Sequence, residues 1–337
     1  MSTLVHRVGC MLIAASLSLA SGNQVSMAQQ MGAGDPAKDY PNKPVRWIID
    51  GGAGGLSDTI ARTVGQKLAE AWGRPIVNDA RPGASGTIAY ELGSKAPADG
   101  YTLLFVSAPF AINVSVYNKL PYDTRKDFAA IGLTATYSLV LVTNLKVPAK
   151  TVTELIAYAK GKQGGITWAT TGPGTSPFLA TELFRKQAGF DGVHVPYNSS
   201  PASLIDLIGG RIEFTIVVMP SAIPHIRANR IHAVGVTSPT RSTLLPDVPT
   251  ISESGLPGFQ SVGYTGAVAP VKVPRAIIDK LNTEMVRVLK MPDVQDRFQY
   301  LGVEARWSTP EEFHKILKEE IARWAPVARE AGVKLDR

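Results

Sequence analysis

The chain has 337 residues, 45% of them hydrophobic and 19% charged, with a formal net charge of +7. That length exceeds one small domain and sets two of ordinary size as the expectation. The basic excess is spread along the chain and forms no Lys/Arg run, which argues against a nucleic-acid surface.

In chain order, "MSTLVHR" carries Arg7 and no acid, "VGCMLIAASLSLA" is apolar but short, and "SGNQVSMAQQ" places Ser26 and Ala28 as small residues at a cut site. This order predicts a secretory signal peptide over residues 1–28, the alternative being a buried N-terminal helix. Cys10, the only cysteine, lies inside it without the context for lipid attachment, so cleavage leaves a chain free of thiols. No later segment reaches ~18 consecutive apolar residues. The expected address is the periplasm.

From Lys38 onward, strand-like and helix-like segments alternate. "VRWIID" reads as a strand. "SDTIARTVGQKLAEAWG" sets Ile60, Val64, Leu68 and Trp72 on one helical face, closed by Gly73. "PIVNDA", "TIAYELGSKA" and "YTLLFVS" continue as strand, helix and buried strand, implying a parallel sheet with helices on both faces. "IGLTATYSLVLVTN" is a long β-rich stretch without a turn signal. A second alternating unit runs from "TVTELIAYAKG" to "IHAVGVTS". Then come the proline-rich "LLPDVPTISESGLPGF", another extended piece in "SVGYTGAVAP", and terminal helices. The last opens with Thr309, Pro310 and Glu312 in a capping-box pattern, with Phe313, Ile316, Leu317, Ile321 and Trp324 as its apolar stripe. Two α/β units joined by two long extended passages imply two lobes connected by crossing strands. The terminal helices are expected to pack on the first lobe. Such an architecture puts a ligand between the lobes, at the carboxyl ends of the strands.

Two glycine loops carry the chemistry. "WIIDGGAGGLSDTIAR" looks like a phosphate cradle, but the dinucleotide pattern from Gly52 through Gly54 meets Ser57 where glycine is required. No Lys-Ser/Thr pair follows, so the NTPase phosphate loop fails as well. What remains is a flexible backbone leading into a helix start, whose N–H groups favour an anion. Asp58 there is either a helix cap or a ligand contact. "TTGPGTSPF" repeats the construction in the other unit, with Gly172 and Gly174 before Thr175 and Ser176. Two such loops facing across a cleft could each take one end of a carboxylate. They could equally be ordinary βα turns, and spacing leaves both readings open.

The segments "GGLSDTIAR", "NDARPGASGTIA", "ADGYTLLF", "YDTRKDF", "GPGTS", "HVPYNSSPASLIDLIGG" and "RSTLLPDVPTISESGLPGF", in this order, resemble the substrate-binding proteins of tripartite tricarboxylate transporters, the Bug family. The resemblance covers the chain from "YPNKPVRWII" to the C-terminal helix. It implies an α/β fold: a two-lobed periplasmic binding protein, type II-like, with two crossing strands. The expected lobes are 40–134 with 267–337, and 135–266 including the crossing segments. It implies a monomer that closes on a small carboxylate, delivers it to two membrane subunits, and uses no cofactor or metal. Carried onto this chain, the ligand residues are Gly54, Gly55, Leu56, Ser57, Asp58, Ser107 and Ala108 from the first lobe. From the second come Gly172, Gly174, Thr175, Ser176, Met219 and Pro220. Two departures stand out. Relatives usually have an aromatic-proline-proline run where this chain has "IIDGG", which makes Asp50 unusual. Many relatives have histidine where this chain has Pro177-Phe178. Phe178, with Tyr264, points to an aromatic or partly apolar carboxylate; the alternative is that Phe178 is core packing.

Two other functions compete. An enzyme is disfavoured because His6, His194, His225, His232 and His314 show no metal-ligand spacing, and neither H-E-x-x-H nor G-x-S-x-G occurs. A ligand-loaded sensor acting on a membrane receptor would have the same fold and cleft, and this chain does not separate it from a transport receptor.

Overall fold

A computed structural model describes residues 35–197 and 199–336; the expected signal peptide lies outside them. Residues 35–40 belong to a separate N-terminal unit and form a turn closed by Lys38 N–H on Asp35 O at 3.0 Å. The second unit begins at Pro41.

The first run of elements in that unit is β1 (Val45–Ile49), α1 (Leu56–Trp72), β2 (Ile76–Ala80), α2 (Thr87–Ser94), β3 (Thr102–Ser107), α3 (Pro109–Val116) and β4 (Phe128–Asn144). A second run follows: α4 (Val152–Gly161), β5 (Ile166–Thr170), α5 (Ser176–Ala188), β6 (Gly192–Pro196), α6 (Ser200–Gly209), β7 (Phe214–Val218), α7 (Met219–Arg227) and β8 (Ile231–Val236). The chain returns through β9 (Val262–Pro270), α8 (Arg275–Leu289), α9 (Pro292–Tyr300), β10 (Glu304–Ala305) and α10 (Pro310–Glu330).

The helices form where the apolar period demands. On α1, Ile60, Val64 and Leu68 are buried, and Gly73 ends the helix in the left-handed conformation at φ 61°. On α10, Thr309 and Glu312 complete the expected capping box. α3 is the exception, since its sequence announces no helix. Phe110, Ala111, Ile112, Asn113 and Val116 are all buried, so this short helix lacks a polar face and therefore an amphipathic signal.

The strands pair in the order β2-β1-β3-β9-β4-β7-β5-β6, with β8 and β10 also on β4. β1 lies parallel to β2 and β3, and β5 parallel to β6 and β7, as alternating α/β units require. The 17-residue β4 belongs to both halves. Phe128–Ser138 pair antiparallel with β9, whereas Leu139–Asn144 pair with β7 and β8. The second passage returns beside it. Thr237 N–H donates to Leu139 O at 3.0 Å, and Ser261 N–H to Thr237 O at 2.8 Å. The fold is therefore two-lobed, with two crossing strands meeting near Leu139.

Separate aromatic clusters fill the two lobes. Trp47 packs edge-on to Phe105, and Tyr90 to Phe110, in the first. Phe184 packs on Phe190 and Phe214 in the second. Each fully buried side chain of this kind contributes roughly 1.5–3 kcal/mol. α10 packs on α3 and β4 and also reaches α5, where Lys186 pairs with Glu330.

Candidate functional site

β1 ends at Ile49, and Asp50 stands next, its N–H on Phe105 O at 3.3 Å. The side chain is buried, with 8% of its surface exposed. Its Oδ2 accepts three hydrogen bonds: Ser107 N–H at 2.7 Å, Ser107 Oγ at 2.6 Å and Tyr90 Oη at 2.6 Å. Among the described residues, Oδ1 has no hydrogen-bond partner and no cation pairs with the carboxylate. Burial raises the Asp50 pKa. The Ser107 and Tyr90 donors, and the nearby Ser57 hydroxyl, only partly oppose it. The Ser57 hydroxyl adds a weak hydrogen-bond donor to the carboxyl, in a geometry too poor to satisfy Oδ1. Burial and the Asp50 charge together push the Tyr90 phenol well above its ordinary range.

In the first glycine loop, Asp58 makes the contacts of a cap. Its Oδ2 accepts Gly54 N–H at 2.9 Å and pairs with Arg62 Nε at 2.8 Å. Burial works against the charge, but Arg62 and the Gly54 amide overcome it and hold the carboxyl below its usual range. Asp58 thus faces Arg62, and the Gly54 N–H is engaged by Asp58. Gly55 N–H turns back to Gly52 O at 3.0 Å. Because Gly55 precedes α1 without a side chain to cap it, the N–H groups of Leu56 and Ser57 open the helix uncapped. Both donors of Ser107 serve Asp50. Ala108 is buried at the entry to α3, accepting Ala111 N–H at 3.1 Å.

In the second loop, Gly172 N–H binds Thr170 Oγ1 at 3.2 Å. The Thr175 hydroxyl donates to Gly172 O at 2.7 Å and caps α5 by accepting Phe178 N–H at 3.4 Å. It shapes the loop, and its proton is not available to a ligand. Ser176, buried at the start of α5, hydrogen-bonds the Tyr137 hydroxyl, whose pKa burial raises and the nearby Asp50 charge raises further. Phe178 is 4% exposed, its ring 6.2 Å from Trp168 and 5.4 Å from His194. Its contacts are those of core packing, the alternative to stacking on a ligand. Met219 likewise belongs to the second lobe's core, with Val140, Leu204 and Ala222. Pro220 packs beside Gly302, on the connection between α9 and β10. Tyr264 lies edge-on to Phe313 at 6.2 Å, with a buried hydroxyl lacking a hydrogen-bond partner among the described residues.

The seam between the lobes uses residues that motif reasoning passed over. Ser85 Oγ donates to Pro173 O at 3.2 Å, and Asn113 Nδ2 to Ser85 O at 2.9 Å. Gly174 sits so close that a Cβ there would lie 3.0 Å from Ser85 Oγ and 3.2 Å from Asn113 Oδ1. The second glycine loop thus meets the "PGASG" turn across the seam. That turn holds Gly83, Ala84, Ser85 and Gly86 at φ 123°, 46°, 52° and 84°. Positive φ at Ala84 and Ser85 costs on the order of 1–3 kcal/mol each and marks functional turns. The bracketing glycines were the signal that could have found it. Tyr137 gave none inside its β-rich stretch. It lies over Gly263, where a Cβ would come within 2.1 Å of its ring, and lines a cavity of about 660 Å³ with Arg241, Gln299, Arg306 and Trp307. Among the described residues no cluster of His, Cys, Asp or Glu could hold a metal ion.

Two parallel α/β lobes, crossing strands and facing loop ends define a type II-like periplasmic binding protein. Comparison with known proteins agrees. Residues 60–333 match the tripartite tricarboxylate transporter family receptor model. The structure resembles Rpa4515 of R. palustris, solved with adipate, at TM-score 0.81 and 32% identity over 88% of this chain and 100% of that one. It also resembles MatC of Rhodopseudomonas palustris with bound malate (TM-score 0.76, 29% identity, 86% and 100% covered). A third similar structure is the periplasmic binding protein BugD (TM-score 0.78, 29% identity, 88% and 100% covered). The chain belongs to the tripartite tricarboxylate transporter receptor family, the Bug proteins, which bind substrates and are not enzymes.

Proposed function

We propose that this protein captures a small carboxylate between its lobes in the periplasm and delivers it, as a monomer, to two membrane subunits of a tripartite transporter. One observation carries the reading. Ser57, at the uncapped start of α1, is a donor to Asp50, whose charge reaches Tyr137 on the crossing strand, and Tyr137 in turn hydrogen-bonds Ser176 of the second loop. An N-terminal helix end with hydroxyl donors from both sides suits a carboxylate, which needs several donors and a positive dipole. Adipate and malate in the similar structures support the ligand class. With Phe178 packed inward, the case for an aromatic ligand loses its main support, and a short aliphatic acid fits better.

In this reading the lobes are 40–134 with 267–337, and 135–266, hinged where Leu139, Thr237 and Ser261 meet. The signal peptide over 1–28 directs export and is removed. Ligand stabilises the closed arrangement because it touches both lobes only there. Thermal-shift screening against carboxylates, followed by calorimetric titration, tests the reading. A ligand at a hundred times its Kd adds about 2.7 kcal/mol to stability and raises the midpoint. If no carboxylate at millimolar concentration moves the midpoint or gives binding heat, the reading fails.

A further inference from the structure

Asp50 does more than its partners explain. Three donors converge on Oδ2 and lock the carboxyl's orientation, while among the described residues Oδ1 is buried without a hydrogen bond of good geometry. A purely structural carboxylate would be expected to have both oxygens satisfied or a cation beside it, because a buried acceptor left alone is costly. Among the described residues no cation pairs with Asp50, and the further donor near its carboxyl, the Ser57 hydroxyl, lies in a geometry too poor to satisfy Oδ1. The surroundings of Asp50 are those of the proposed cleft. Ser57 of the first loop lies beside it, and its charge reaches the hydroxyls of Tyr137 and Tyr264 on the two crossing strands. Among the described residues, Tyr264's own hydroxyl is also buried without a hydrogen bond.

Building on the carboxylate reading, we infer that Asp50 Oδ1 binds a protonated nitrogen of the ligand, so that the preferred ligand is a small amino carboxylate and not a plain mono- or diacid. The ligand's carboxylate lies at the start of α1, where the N–H groups of Leu56 and Ser57 face outward along the helix dipole. Only Gly51–Gly55 separate that end from Asp50, so the acid and the anion-binding end are adjacent and suited to opposite charges on one small molecule. A carboxylate without an ammonium meets the Asp50 charge uncompensated; an ammonium donating to Oδ1 satisfies that oxygen and neutralises the pair.

The test is calorimetric titration of the purified protein, freed of carried-over ligand, with pairs differing by one ammonium: adipate against 2-aminoadipate, and butyrate against 4-aminobutyrate. The expected result is tighter binding of at least one amino member, by tenfold or more. Asp50→Asn, which keeps the shape and removes the charge, collapses that ratio toward one. The unliganded melting temperature of Asp50→Asn checks that it folds, and the wild-type ratio stands without the variant. Equal or tighter binding of both plain acids by the wild-type overturns the inference while leaving the carboxylate reading intact. So does an amino preference that Asp50→Asn leaves unchanged. If none of the four acids binds, and the wider carboxylate screen is also silent, both readings fall together.

Discussion

At the residue scale, Asp50 organises the site. The sequence exposed it as an oddity, an acid ahead of a glycine cluster, but not its partners, because Tyr90 and Ser107 lie 40 and 57 residues further on and only the β1–β3 pairing, with α2 packed on those strands, brings them together. Its folded-state pKa is raised above the ordinary 3.8 by burial. Between the unfolded and folded pKa values the folded state holds more proton than the unfolded chain, so stability contributed by this group is present below pH 3.8 and lost as pH rises through the folded value. Asp50→Asn removes that loss. Its melting temperature relative to wild-type is expected to climb as pH rises from about 4 toward neutrality. A constant difference across pH, followed by circular dichroism, would contradict the assignment. Phe178 teaches the opposite lesson: a residue in the motif position for ligand contact turned inward, because Trp168 and His194 offered it a buried aromatic face.

At the element scale, helix caps divide by where they sit. Thr175 and Thr309 make the same N-cap hydrogen bond, on α5 and α10. Alanine at either should cost about 1 kcal/mol in urea unfolding. Only Thr175→Ala should also weaken ligand binding, since its hydroxyl holds the loop at Gly172 O. Similar affinity losses from both would mean that the loop is not part of the site. The crossing strands offer a sharper case. Gly263 leaves the space that the Tyr137 ring fills, and a Cβ would sit 2.1 Å from it. Gly263→Ala is expected to destabilise by roughly 1–3 kcal/mol through overpacking and to displace Tyr137 from Ser176. An unchanged urea midpoint would show that the ring moves freely. Amphipathic helices such as α1 and α10 were legible from their periods, whereas α3 was not, being buried on every side.

At the scale of the whole molecule, Gly174 approaches the Ser85 turn across the seam, and under the proposed closure this contact holds the lobes together. The Gly174 φ of 81° alone makes alanine costly by about 1 kcal/mol, and a Cβ would press on Ser85 Oγ and Asn113 Oδ1. Gly174→Ala is expected to hold the lobes apart. Small-angle scattering should show a radius of gyration larger than wild-type's, shrinking less when a carboxylate from the screen is added. Identical profiles for the two proteins, with and without ligand, would exclude Gly174 as a closure contact. The exposed Lys186–Glu330 pair between α5 and α10 adds little, since surface ion pairs are worth about 0–1 kcal/mol.

Local chemistry wrote much of this protein into its sequence. Strand–helix alternation, the capping box of α10 and the two glycine loops all depend on residues a few positions apart, and they carry the two-lobed α/β fold and the family. Tertiary structure decided which donors are already spent. The Gly54 amide goes to Asp58, both Ser107 donors to Asp50 and the Thr175 hydroxyl to Gly172. It also paired the second loop with the Ser85 turn and left one oxygen of Asp50 buried without a well-placed donor among the described residues. The reason is physical: a hydrogen bond is settled by distance in space, and strand pairing across tens of residues sets that distance.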